Sequence, residues 1–202
     1  MSKHQRLSSL LMFLGNMLSA HQGSRTEGLI RAASFGQFDT ISDLSAEDLA
    51  WKGTGERVIT IAARHGHLRE ISHLITRDLL LLDDALPLRV LVKNGYTQQI
   101  TPLLSNEFLS MKYSAGSTMY HFAARNGRLK DVTDYLSNES VILRDVSGNT
   151  PLHVAAEAGT LKDIPSRFIT DGYLNIKNNW GSSVYQSAAA TVICGKYRTS
   201  WF

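Results

Sequence analysis

The sequence predicts an all-α chain assembled from tandem units, and two observations carry the prediction. The first is self-similarity: a segment holding a pair of small apolar residues recurs along the chain. The second residue of the pair falls at Ala33, Ala63, Val92, Ala124, Ala156 and Ala189, at spacings of 30, 29, 32, 32 and 33 residues. Recurrence at such a period marks a repeat architecture. The second observation is the apolar stripe after each segment, such as Leu129, Val132, Tyr135 and Leu136, which reads as one face of a second helix. A stripe of that size cannot fold alone, so neighbouring units must stack and share a core.

The best-preserved copy is Gly148 to Gly159, which reads Gly-Asn-Thr-Pro-Leu-His-Val-Ala-Ala-Glu-Ala-Gly. Thr150, Pro151, Leu152, His153 and Ala155 match a Thr-Pro-Leu-His-x-Ala signature. Weaker copies are Gly116–Gly127, Gly55–Gly66, Leu29–Gly36 and Gly181–Ala189, and Leu88–Gly95 fills the remaining gap. On these residues the chain resembles ankyrin repeats from about residue 25 to 192. The resemblance implies an all-α ankyrin-repeat solenoid of stacked helix-turn-helix units joined by fingers. The units are expected near 25–53, 54–83, 84–115, 116–147, 148–180 and 181–202, the last incomplete.

Each element then has a local reason. Residues 1–24 carry Leu7, Leu10, Leu11, Leu14 and Leu18 on one helical face, which suits a helix capping the exposed end of the stack. The same segment, after Lys3, His4 and Arg6, also reads as a targeting sequence. In the fourth unit Thr118 is placed to cap the first helix, Ala123 and Ala124 admit a close neighbour, and Gly127 ends the helix. Second helices are expected to bury Phe38, Ile41 and Leu44, then Leu68, Ile71, Leu74 and Ile75. Further along they carry Ile100, Leu103 and Leu104, and then Leu161, Ile164, Phe168 and Ile169. Fingers fall at 45–54, 77–85, 105–115, 137–147 and 170–180.

Three departures stand out. Pro102 and Pro165 lie inside expected second helices and should shorten or kink them. In the third unit Leu91-Val92 replaces the Ala pair, Asp84 replaces the Gly that precedes the first helix, and Leu79 to Leu82 occupy the finger, so this unit should stack less regularly. The sixth unit has Val192 where the others have Gly, and reads either as a partial cap or as the edge of a longer protein.

Composition narrows the function. A net charge of +3 on 202 residues is too small to argue for a phosphate-tracking surface, so nucleic acid is disfavoured. The single Cys194 can form no internal disulfide, which suits a reducing compartment and a cytoplasmic reading. No apolar run reaches the roughly 20 residues of a membrane span. His65, His67 and His73 have no Cys near them and read as a solvated face, not a metal site. His121 and His153 hold the signature's His position, where the resemblance implies a structural tie between adjacent repeats. No catalytic set and no cofactor emerges, and the chain is read as no enzyme.

What remains is binding. In ankyrin repeats partners usually dock on the concave face made by first helices and fingers, and the residue after the Ala pair lies on that side. In this sequence that position holds Arg64, Lys93 and Arg125 in consecutive units, a row expected to accept an acidic or phosphorylated protein segment. The fingertips carry Trp51, Tyr113 and Trp180, of side-chain types enriched where binding energy concentrates. The expected function is a monomeric protein-interaction module. Its worn repeats resemble both ordinary eukaryotic adaptors and the ankyrin proteins that intracellular bacteria deliver into a host cytosol. The alternative is the ankyrin region of a larger enzyme or effector.

Overall fold

The computed structural model describes residues 23–53 and 55–198, with side chains to residue 191. The cap expected over 1–24 falls almost wholly outside the described residues. The chain divides into two compact units, Met1–Ile75 and Thr76–Phe202. The first contains α1 (23–35), α2 (Ala46–Ala50) and α3 (Val58–His65). The second contains α4 (Arg77–Asn94, interrupted by non-helical backbone at Leu82, Asp83, Asp84 and Ala85, so that a short finger helix precedes the first helix of the repeat), α5 (Asn106–Ser110), α6 (Met119–Arg125), α7 (Asn138–Val141), α8 (Pro151–Ala158), α9 (Asp171–Leu174) and α10 (Val184–Arg198). Among the described residues there is no strand, only isolated bridges at Lys52–Arg57 and Lys177–Ser183. None of their helices is long and apolar enough to cross a membrane.

The signature segments form the first helices as expected. Thr150 is the N-cap of α8, its hydroxyl accepting the His153 N–H at 3.4 Å, and Pro151 occupies the first turn, where its missing N–H costs nothing. Gly159, at φ 71°, ends the helix in a left-handed conformation that a side chain would oppose. In the second unit α6 packs against α4 and α8, and α8 against α10. Ala123, Ala124, Ala155 and Ala156 are all buried. Their small side chains let neighbours reach the helix backbone itself. The Thr160 hydroxyl donates to the Ala124 carbonyl at 2.7 Å, and the Thr191 hydroxyl of α10 donates to that of Ala156 at 3.1 Å.

The second helices are not the α-helices that their stripes predict. Each unit instead forms a 3-10 turn: Phe38–Thr40, Ser72–Leu74, Thr97–Leu103, Leu129–Tyr135 and Leu161–Asp163. After each turn comes one extended residue, namely Ile41, Ile75, Leu104, Leu136 or Ile164. A Ser or Thr then starts a new short helix inside the expected finger. Ser45, Thr76, Ser105 and Ser137 accept the N–H of Asp48, Leu79, Phe108 and Ser140 respectively.

The physical reason lies in the spacing. Leu129, Val132 and Tyr135, all within one 3-10 turn, are three apart at each step, and three is the period of a 3-10 helix. The prolines fit the same account. Pro102 lies in the 3-10 turn Thr97–Leu103, and Pro165 precedes a further one at Ser166–Phe168. Leu68, Ile71, Ile100, Leu129, Val132 and Ile164 are nonetheless buried, so the stripes still supply core.

Ala156→Leu should overpack the α8–α10 contact and destabilise the fold by about 1–3 kcal/mol. Urea unfolding checks it, and an unchanged midpoint would show that the helices approach less closely at this residue than drawn here.

Candidate partner-binding site

Two fingers of the second unit are each held by one polar side chain near the tip. Asp145 accepts the N–H groups of Ser147 and Asn149 on Oδ1, both at 2.9 Å. One repeat later Asn178 does the same for Trp180 and Ser182, at 3.1 and 3.0 Å. Successive fingers then join through their backbones: the Val146 N–H donates to Ala115 O at 3.0 Å and the Asn179 N–H to Ser147 O at 3.1 Å. Arg144 adds a further tie, donating to the carbonyls of Gly148 and Lys177 at 3.1 and 2.7 Å.

The signature histidines lock each first helix to the next finger. His121 Nδ1 accepts the Thr118 N–H at 3.1 Å, so the ring proton is on Nε2, which donates to Asn149 O at 2.9 Å. His153 repeats this with the Thr150 N–H at 3.2 Å and Ser182 O at 3.1 Å. Burial is the main cause that lowers the pKa of both rings, which are therefore neutral in the folded protein. At the same position of α10, Gln186 Oε1 accepts the Ser183 N–H at 2.8 Å.

Where the third unit departs from the signature, the geometry changes. Arg89 occupies the His position. It pairs with Asp84 at 3.3 Å and lies 5.0 Å from the centre of the Phe122 ring, in cation–π contact. Tyr113 stands where the later fingers have Asp145 and Asn178, and it cannot accept the turn's N–H groups. The Asp84 carboxylate, from the preceding finger, takes a different N–H of this turn: it accepts the Ser114 N–H at 3.2 Å and also the Ser114 hydroxyl. Asp83, Asp84, Ala85 and Ala115 all have φ between 51° and 59°. That conformation costs a residue with a Cβ roughly 1–2 kcal/mol.

These departures enclose a cleft of about 370 Å³ lined by Asp84, Arg89, Tyr113, Phe122, Arg125 and Asp145, among others. Its size lies at the small end of the range for ligand sites, about 300–1,000 Å³. The Tyr113 hydroxyl is buried with no hydrogen-bond partner. Burial, and secondarily the Asp84 charge, push its pKa to about 12, so it remains a donor at any physiological pH.

Of the six residues expected to bind a partner, Tyr113 and Arg125 meet in this cleft. Tyr113 is half-buried there, whereas Trp180 is 69 % exposed on the next finger but one. Lys93 is exposed in the last turn of α4. Arg64 and Trp51 belong to the first unit. Arg64 is ion-paired with Glu56, and Trp51 is 37 % exposed, close enough to Gly53 that a Cβ there would come within 3.0 Å of the ring. Asp84, Arg89 and Phe122 escape sequence reasoning. Their only signal is that Arg89 replaces the signature's His and Asp84 a Gly.

Residues 88–165 match the family model described as ankyrin repeats (3 copies). Over that stretch the chain carries ankyrin repeats. None of the curated proteins compared matches it.

The two histidines make stability depend on pH. Their folded-state pKa values lie below the unfolded value of about 6.5, so both states are neutral above that pH and the ties cost nothing. Below it the unfolded chain takes up protons that the folded rings refuse. Stability then falls by up to about 1.4 kcal/mol per pH unit and per ring, until the folded rings also protonate. Thermal melts at pH 7.5 and 5.5 measure the loss. A His121→Gln/His153→Gln variant, which copies the Gln186 geometry, should show a smaller one.

Proposed function

We propose that this protein-interaction module binds its partner along the faces made by first helices and fingers, through Arg64, Lys93 and Arg125 together with Trp51, Tyr113 and Trp180. The observation that carries the reading is the placement of cations. Each is the last or next-to-last residue of a first helix, α3, α4 or α6. Lys93 and Arg125 are exposed, and the Arg64 side chain is 51 % exposed despite its pairing with Glu56. Cations in that setting attract an acidic or phosphorylated segment.

We read the partner as a protein met in a cytosolic compartment, and the chain as a monomer. A role as an effector in a host cytosol is compatible with the worn repeats, as is that of an adaptor. The alternative reading, an ankyrin region serving a larger enzyme, is favoured by no residue described above.

Cations in a helix's last turn also offset its dipole, which would make them merely structural. An Arg64→Glu/Lys93→Glu/Arg125→Glu variant separates the two. Under the binding reading, a protein captured by the wild type from eukaryotic lysate is lost at matched folding. Under the structural reading the melting temperature drops and capture persists. A Trp51→Ala/Trp180→Ala variant asks the same of the fingertips.

A further inference from the structure

The C-terminal end of the stack leaves unused the connections that join one repeat to the next. Three such connections recur in the second unit. A finger carbonyl, that of Ala115 or Ser147, accepts an N–H of the following finger at 3.0 or 3.1 Å. The signature histidine, His121 or His153, donates to a carbonyl of the following finger at 2.9 or 3.1 Å. The second Ala of the pair, Ala124 or Ala156, is buried and gives its carbonyl to a threonine hydroxyl of the following repeat at 2.7 or 3.1 Å.

One repeat later the same positions hold Trp180, Gln186 and Ala189, each 33 residues on from Ser147, His153 and Ala156. None of the three meets a following repeat among the described residues. The Trp180 carbonyl accepts no hydrogen bond from them, and the Gln186 amide nitrogen donates none to them, while its oxygen is taken by the Ser183 N–H. Ala124 and Ala156 are 0 and 1 % exposed, whereas Ala189 is open to solvent. Trp180 is 69 % exposed, and Tyr185, one helical turn before Ala189, is 47 % exposed. A terminal repeat that faces water needs a polar outer surface. This one sets Trp180, Tyr185 and Ala189 around a single amide, with no charge among them.

We propose that this end face docks an α-helix of a partner protein, entered through a turn and presenting an uncharged side of small residues. Continuity with the α8–α10 contact defines that occupant. There Thr191 reaches the Ala156 carbonyl, and Val184 and Ser187, on the same side of α10, are buried. The ties from Ser182 to His153 and from Thr191 to Ala156 run in the same chain direction, so the partner helix lies parallel to α10 as α10 does to α8. A second copy does not supply the helix, because α6, α8 and α10 are already packed in their own stack. Nor do residues 199–202, which extend about 14 Å, while Tyr185 lies about 20 Å along α10 from Arg198. The proposal rests on the reading of the protein as an interaction module and gives it a second surface, on a helix where the cation row has no member.

The test is an NMR titration of the ¹⁵N-labelled full chain with an acetylated, amidated peptide copying residues 177–193, which carries both the turn and the side of α10 that rests on α8. It should move the amides of Trp180, Tyr185, Gln186 and Ala189 saturably, and a peptide with Val184→Glu and Thr191→Glu should not. Equal response to both overturns the uncharged helix. Shifts confined to the Lys93 and Arg125 ends of α4 and α6 overturn the end face, and so does no shift at millimolar peptide. The lysate capture experiment on the cation row then judges the module reading independently. Concentration-dependent shifts of the chain alone at these four residues assign the face to a second copy and overturn the partner helix.

Ala189→Arg in the labelled chain should weaken the peptide at least roughly tenfold, since the larger, charged side chain would fill the contact. Its melting temperature should stay level, because Ala189 is exposed. Undiminished peptide binding overturns the role of Ala189, and a lowered melting temperature overturns the open face by showing that Ala189 is packed within the chain.

Discussion

The second unit depends on one interaction repeated along it: a neutral imidazole whose two nitrogens face opposite ways. Nδ1 of His121 or His153 takes the N–H of its own helix cap, and Nε2–H goes to a carbonyl in the following finger. The ring thus satisfies one of the orphan donors at a helix start and anchors the chain about 30 residues further on. Both ends sit in buried surroundings, where an unmade hydrogen bond is costly. Gln186 can copy the first half of this arrangement, because a carboxamide oxygen also accepts the cap N–H. Thr60, at the same place in α3, is too short, and its hydroxyl is buried without a partner.

With the histidines fixed, the finger geometry follows. Asn149 presents its carbonyl to His121, its N–H to Asp145 and its side-chain oxygen to Asn178, so one residue is held from three directions. The Asp145 and Asn178 turns are then stacked by single backbone hydrogen bonds from finger to finger. No strand forms, because each pair of neighbouring fingers shares one such bond where a ladder needs several.

The first helices were legible in the sequence because their motif fixes three things at once: a capping hydroxyl, a small pair, and a terminal Gly. Gly159 and Thr150 do what their residue types require. The second halves are ambiguous in the sequence because Leu129, Val132, Tyr135 and Leu136 satisfy both a 3.6-residue and a three-residue period. What separates them is the capping residue just beyond. Ser45, Thr76, Ser105, Ser137 and Thr170 recur at nearly the repeat period, and each starts a helix where a continuous second helix would be ending. Arg125 and Trp180 are exposed. Tyr113 is half-buried, beside the Asp84 carboxylate that reaches the Ser114 N–H from another finger.

The cleft combines ordinary repeat residues such as His121 and Asp145 with departures, and two of the departures, Asp84 and Arg89, depend on each other. With Asp at the Gly position, the backbone must enter the left-handed region at Asp84, which Asp tolerates better than most residues. The carboxylate so placed reaches the Ser114 N–H. An aromatic ring can then occupy the position that Asp145 holds one repeat later. The same carboxylate pairs with Arg89, whose guanidinium lies against Phe122, at the position where His121 and His153 turn inward to tie the next finger. A reversion of any one of these residues towards the signature would strand the others: Gly at 84 would leave Arg89 unpaired and the Ser114 N–H without its acceptor.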